Sequence, residues 1–271
     1  MTSALATTYL QTGSASRTSR TNQTDWLRGL QPASDGRAHG ELAVPASGLP
    51  KARKVLAVTA RPGVESGALG ELLYAFGKAG ARLSLLSLTR GEASAFNSTN
   101  SPLEAVRPWE LQLASWLLGI SSVAVADYPD GELRNCPIPD LRARVQRAIA
   151  EHTPDLILVL DPAGDPHDAQ VAEAVCLAAG PAGVPVAART MPGASASWLV
   201  ELGAETDVAR DVQRAAARAH ASQSETLPQV LASLDSFSGQ EQLRWLLPAL
   251  IRPPAPRAAP AAPQVAEPCL N

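Results

Sequence analysis

The sequence is poor in cysteine: Cys136, Cys176 and Cys269 are its three, they lie far apart, and no C-x-x-C spacing occurs. So few and so scattered, they support neither a disulfide framework nor a thiolate zinc site, and they read as buried or inert thiols. Blocks of positive charge are missing as well. With a net charge of −3, a pI near 5.8 and only scattered arginines, the chain lacks the electrostatic footprint of a nucleic-acid or anionic-membrane binder. No segment approaches roughly 18 uninterrupted apolar residues, the length of a membrane span. The opening stretch MTSALATTYLQTGSASRTSRTNQTDW does not join a basic start to a long apolar run. The expectation is a soluble, cytoplasmic protein with neither nucleic acid nor membrane as partner.

Familiar catalytic signatures are absent too. GVESGALG spaces Gly63, Gly67 and Gly70 by four and three. That spacing is wrong for the G-x-G-x-x-G turn that brings backbone amides to a pyrophosphate, and no G-x-x-x-x-G-K-[ST] follows. These glycines read as a tight loop and close helix packing. Ser and His occur in GAS (Gly193 to Ser195) and HASQS (His220 to Ser224). Without a G-x-S-x-G elbow they give a Ser-His-Asp hydrolase little support.

What is present is a regular alternation. The apolar runs KVLAVTA, RLSLLSLT, SSVAVADY, DLILVLDP and VPVAARTM are separated by helical patterns at 66–79, 104–119, 138–151 and 168–179. That order predicts a Rossmann-like three-layer α/β sandwich with a mostly parallel sheet. A further helix is predicted from Asp207 to His220, with Thr206 or Asp207 as its cap, followed by a helical region to about Leu247. Residues 1–50, rich in Ser, Thr, Gly and Ala, and the Pro/Ala-rich tail 251–271 are expected to be disordered, which leaves one domain over 51–250.

In such sheets ligands sit beyond the carboxyl ends of the strands. The informative loops are therefore Ala60 to Ser66, Thr89 to Ala93, Asp127 to Leu133 and Asp161 to Asp168. DPAGDPHDAQ gathers Asp161, Asp165, His167 and Asp168, a donor set suited to a divalent ion. It suits a helix N-terminus equally well, since a carboxylate there is stabilised by the helix dipole.

Taken in order, these loops resemble those of the PIG-L/LmbE-like family of zinc-dependent N-acetylglucosaminyl deacetylases, from about Val55 to Leu247. The family's A-H-P-D-D-E falls on ARPGVE, Ala60 to Glu65, and its T-x-G-E on TRGEAS, Thr89 to Ser94. Its R-x-x-E helix falls on Arg107, Glu110, Ala114, Leu118 and Gly119. L-P-D-G-x-L falls on YPDGEL, Tyr128 to Leu133, H-P-D-H on Pro166 to Ala169, and A-x-x-x-H-x-S-Q on ARAHASQ, Ala217 to Gln223.

The resemblance implies a zinc site that this sequence does not supply. The first ligand His falls on Arg61, the ligand Asp on Val64 and the last ligand His on Ala169. The general-base Asp falls on Gly63 and the oxyanion-stabilising His on Pro166. Shifting the alignment by one residue brings in His167 but leaves Ala169 at the ligand position. Zinc hydrolysis needs three protein ligands, a water activated by the metal and a base to take its proton. The expectation is therefore a deacetylase-family protein, catalytically degenerate and without a cofactor, whose pocket binds a small amino-sugar-like or anionic ligand or serves regulation. The pocket candidates are Arg61, Glu65, Arg107, Asp130, Asp165, His167, Asp168 and His220. Glu110 can pair with Arg107 across one helical turn, and Arg61 with Asp165 or Asp168. His220 reads as a supporting or packing residue. Two alternatives stay open: an active hydrolase of N-acetylated amino sugars with zinc held by Glu65, Asp165, His167 and Asp168, and a structural partner of an active paralogue.

Overall fold

A computed structural model of the chain describes residues 48–190, 198–202, 205–236 and 240–248. Residues 1–47 of the expected disordered N-terminal segment, the tail 251–271 and the GAS segment lie outside these residues. Strand β1 (Lys54–Thr59) leads through the short helix α1 (Val64–Gly67) into α2 (Gly70–Lys78), and β2 (Arg82–Thr89) precedes α3 (Leu103–Leu117). The alternation continues with β3 (Ile120–Tyr128), α4 (Ile138–His152), β4 (Leu156–Leu160), α5 (Pro166–Ala182) and β5 (Val186–Thr190). The last elements are β6 (Trp198–Glu201), α6 (Thr206–Ala219), α7 (Leu227–Ser236) and β7 (Gln240–Leu247).

The seven strands form one sheet in the order β3-β2-β1-β4-β5-β7-β6. Neighbours from β3 to β5 are parallel, while β7 runs antiparallel between β5 and β6. β1 carries KVLAVT with every residue after Lys54 buried, as a strand covered on both faces requires. Its pleat splits the core. Leu56 and Val58 pack with Leu141 and Val145 of α4 and Val171 and Val175 of α5. Val55 and Ala57 face the other layer, with Leu72 and Phe76 of α2, Leu111 of α3 and Ala216 of α6. The predicted three-layer sandwich with a mostly parallel sheet is the fold observed.

Three local expectations change. The pattern at 66–79 is interrupted, with α1 and α2 separated at Ala68 and Leu69. A Cβ on Gly70 would lie 2.6 Å from Cγ of Gln213 on α6, so this glycine permits the close helix packing that its position suggested. The cap position of α6 is Glu205, whose side chain makes no capping bond, rather than Thr206 or Asp207. Finally, the helical region expected up to Leu247 ends at Ser236, and Gln240–Leu247 is a strand. Leu243, Leu246 and Leu247 sit at helical spacing, but burial of Glu241 and Leu243 follows the two-residue period of a strand. The antiparallel slots beside β5 and β6 decide between these readings, pairing Leu243 with both Arg189 and Trp198.

Candidate functional site

Because β1 to β4 are parallel, the four loops singled out above gather at one end of the sheet. β1 lies between β2 and β4, so the chain winds in opposite directions on its two sides and leaves a crevice where ligands bind in such sheets. The loop after β1 and the loop after β4 flank that crevice.

The loop after β1 turns at Gly63, whose φ of 95° is left-handed, and its N–H donates to Oε2 of Glu65 over 2.8 Å. Glu65 is completely buried, and its Oε1 lies 2.7 Å from Nε2 of His220. Burial pushes the Glu65 carboxyl up, yet the facing His220 charge and the hydrogen bonds from His220 and Gly63 outweigh it, so it titrates below the usual range. Nδ1 of His220 is buried and has no hydrogen-bond partner among the described residues. His220 follows α6 directly, and the pair pins the end of that helix to the first loop.

A second set of contacts ties the remaining loops together. Arg107 on α3 is buried, donating from Nη1 to the Gly91 carbonyl at 2.5 Å and from Nη2 to the Pro62 carbonyl at 2.7 Å. Glu110, expected to pair with Arg107, instead accepts from N and Oγ of Ser222 at 2.6 and 2.7 Å. One helical turn places the two side chains beside each other, but carbonyls from two loops and a hydroxyl from a third segment compete for them. Asp130 accepts from Oγ1 of Thr89 and from N of Ala93, so both its oxygens hold the loop after β2. Gln223 accepts from Oγ of Ser94 at 2.6 Å and donates to the Phe96 carbonyl.

The loop after β4 is organised by carboxylates serving the backbone and a distant arginine. Asp165 caps α5, accepting from N of His167 at 2.7 Å. Asp161 accepts from N of Ala163 and from Nη2 of Arg244, the latter at 2.6 Å. No local pattern in the sequence links Arg244 to this loop, because the contact depends on β7 being a strand. Asp168 is buried, and burial together with the neighbouring Asp165 charge pushes its carboxyl up to about 7 against the opposing pull of Arg61. Arg61 is half-buried, and neither the ion pair with Asp165 nor that with Asp168 forms; its charge acts on Asp168 from farther away. His167 is half-buried, and its Nδ1 has no partner among the described residues.

Zinc needs three or four nitrogen, sulfur or oxygen donors converging at about 2.0–2.3 Å. Arg61 offers a cation, and Val64 and Ala169 offer no donor atom at all. Among the described residues no group of three or more His, Cys, Asp or Glu side chains converges as a set of ligands. Of the alternative set, Glu65 is bonded to His220 and Gly63 and Asp165 to its own helix, which leaves His167 and Asp168, fewer than the three donors a site needs. These residues do not fit a zinc ion. Beside Gly63 lies a cavity of about 20 Å³, lined by Arg107, His220 and Gln223 and bounded by Thr226, Leu227 and Val230. That is room for about one water.

The fold is a three-layer α/β sandwich with a mostly parallel sheet, matching that of LmbE-like deacetylase structures. The PIG-L family, described as GlcNAc-PI de-N-acetylase, matches residues 56–179 of this chain. Among solved structures, a conserved protein of Thermus thermophilus is similar at TM-score 0.60 and 22% identity, covering 75% of this chain and 99% of its own. The N,N'-diacetylchitobiose deacetylase of Pyrococcus horikoshii aligns at TM-score 0.55 and 15% identity, over 84% of this chain and 91% of its own. The 4-carboxy-2-hydroxymuconate hydratase of Pseudomonas putida aligns at TM-score 0.55 and 16% identity, over 74% and 99%. At these identities the likeness concerns the fold. A search of the curated proteins finds no match to this sequence.

Proposed function

We propose that this protein is a non-catalytic member of the PIG-L family, keeping the scaffold and loop architecture of a deacetylase while having lost the zinc hydrolase centre. The observation that carries this reading is the loop after β1 with its partner at the start of α5. Arg61, Val64 and Ala169 stand where the resemblance puts three metal ligands, and Gly63 stands where it puts the base. Of the remaining carboxylates, Asp165 caps α5, Glu65 pairs with His220 and Asp161 with Arg244, which leaves Asp168 without a second carboxylate to share an ion. What the crevice retains is Arg61, a guanidinium free to engage a carboxylate or phosphate of a small ligand bidentately, so its role is recognition or regulation. A fold that also carries a hydratase in Pseudomonas putida is not tied to one chemistry.

Zinc calorimetry tests the reading. The wild-type protein is expected to take up no zinc at micromolar concentration, and Arg61→His alone to change nothing. The triple variant Arg61→His, Val64→Asp, Ala169→His restores the three donors and should bind one ion. Tight stoichiometric zinc binding by the wild type would end the proposal. A folded triple variant that binds none would show that these positions do not converge, and the assignment of the site would fall with it. The base is left out of the variant because an Asp at position 63 would have to occupy a left-handed backbone.

A further inference from the structure

The outer face of α3 carries the largest exposed apolar side chains among the described residues. Trp109 is 75% exposed, Trp116 73% and Leu113 51%. Steps of four and then three residues place them on one stripe of the helix. The opposite stripe, with Arg107, Glu110, Leu111 and Ala114, is buried in the domain, so α3 has no rotational freedom to hide the tryptophans. With an aromatic residue burying about 150–250 Å² when covered, the stripe holds roughly 300–400 Å² of apolar surface. Isolated exposed apolar residues are ordinary, but a contiguous patch of this kind marks an interaction site.

We infer that this face of α3 is a two-fold interface with a second copy of the chain, the two α3 helices packing antiparallel across Leu113. The spacing is self-complementary. Trp109 and Trp116 lie on either side of Leu113, so an antiparallel partner sets Trp109 of each copy against Trp116 of the other and the two leucines against each other at the dyad, as an isologous contact requires. The two stripes together bury about 700 Å² of apolar surface, nearly half of a standard interface of about 1,600 Å². The neighbouring strand supplies more: β3, against which α3 packs, is an edge strand bonded only to β2 among the described residues.

Other occupants fit less well. A lipid surface calls for basic residues beside the apolar stripe, but α3 contains Glu104 and Glu110, and its single basic residue, Arg107, is buried. The chain's own ends leave the described domain at the far side of the sheet. Gly48 is bonded to Leu199 on β6, and Pro248 follows β7, whereas α3 sits at the β3 edge.

The test is sedimentation equilibrium on the full 271-residue chain, beside the double variant Trp109→Glu, Trp116→Glu. The wild type should be a dimer at micromolar concentration, and the double variant should associate at least about 100-fold more weakly, as loss of central aromatic anchors implies. Its circular dichroism and melting midpoint should stay close to wild type, because the altered side chains are outside the core. A second variant, Leu113→Cys, should give a 113-to-113 cross-link with a short bis-maleimide, identified by mass spectrometry. A monomeric wild type would overturn the proposal, whether its tryptophans proved to be shielded by its own termini or bound to vesicles of phosphatidylserine and phosphatidylcholine. So would a double variant that remains dimeric, or a dimeric Leu113→Cys protein that gives no 113-to-113 link.

Discussion

The crevice has two sides, and they have fared differently. On one side Thr89, Gly91, Arg107, Glu110, Asp130, His220, Ser222 and Gln223 match the family pattern, and most of their polar atoms are spent on each other or on loop backbone. On the other side, in the proposed reading, Arg61, Gly63, Val64, Pro166 and Ala169 depart from it. The difference follows from what each set supports. A side chain such as Glu110 completes buried hydrogen bonds, and its loss leaves orphaned donors inside the protein. A metal ligand near the surface of a crevice answers chiefly to the metal, so its replacement leaves the apolar core intact.

If that contrast is right, the largest effect comes from cutting the pair that joins the two sides. Glu65→Ala or His220→Ala leaves a charged or polar partner buried alone, which costs about 3–5 kcal/mol and should lower Tm by about 10 °C. A differential scanning trace within about 2 °C of wild type would mean that the pair is dispensable. The next effect is Gly91→Ala. Gly91 has φ of 76°, and a Cβ there would lie 2.5 Å from Nη1 of Arg107. Backbone strain alone is worth about 1–2 kcal/mol, and displacing the guanidinium adds the loss of its bonds to two carbonyls. Urea midpoints of this variant should fall below those of Gly80→Ala, a left-handed glycine with nothing within 4 Å of its added Cβ.

On the departing side the effect runs the other way. Asp168 titrates near 7 in the folded protein and near 3.9 when unfolded. Between those values the folded state holds the extra proton, so this group's contribution to stability is fully present below pH 4 and is lost as pH rises through about 7. Asp168→Asn mimics the neutral acid and should therefore raise Tm at pH 8 while leaving it unchanged at pH 4. An equal shift at both pH values would point to altered packing instead. The smallest expected effect is none: excess EDTA should move Tm by less than about 1 °C, because a ligand stabilises only if the native state binds it. A fall of several degrees would reveal a native metal.

Much of this is written in the chain itself. KVLAVTA, RLSLLSLT and DLILVLDP can bury both faces only in a parallel sheet under helices, and that requirement also puts their carboxyl-terminal loops at one end. The absence of donor atoms at Arg61, Val64 and Ala169 is equally a property of the sequence, since no fold turns a valine or an alanine into a ligand. Tertiary structure decided the rest. Gln240–Leu247 carries both helical and strand periodicity, and the antiparallel slots beside β5 and β6 selected the strand. That choice brought Arg244 to Asp161, residues 83 positions apart in the sequence. Arg107 and Glu110 are natural partners along a helix, but carbonyls of Pro62 and Gly91 and the amide of Ser222 were closer fits once the loops had converged. Local spacing fixes which side chains share a helix face; which of their hydrogen bonds form is settled by the groups that the rest of the fold carries to that face.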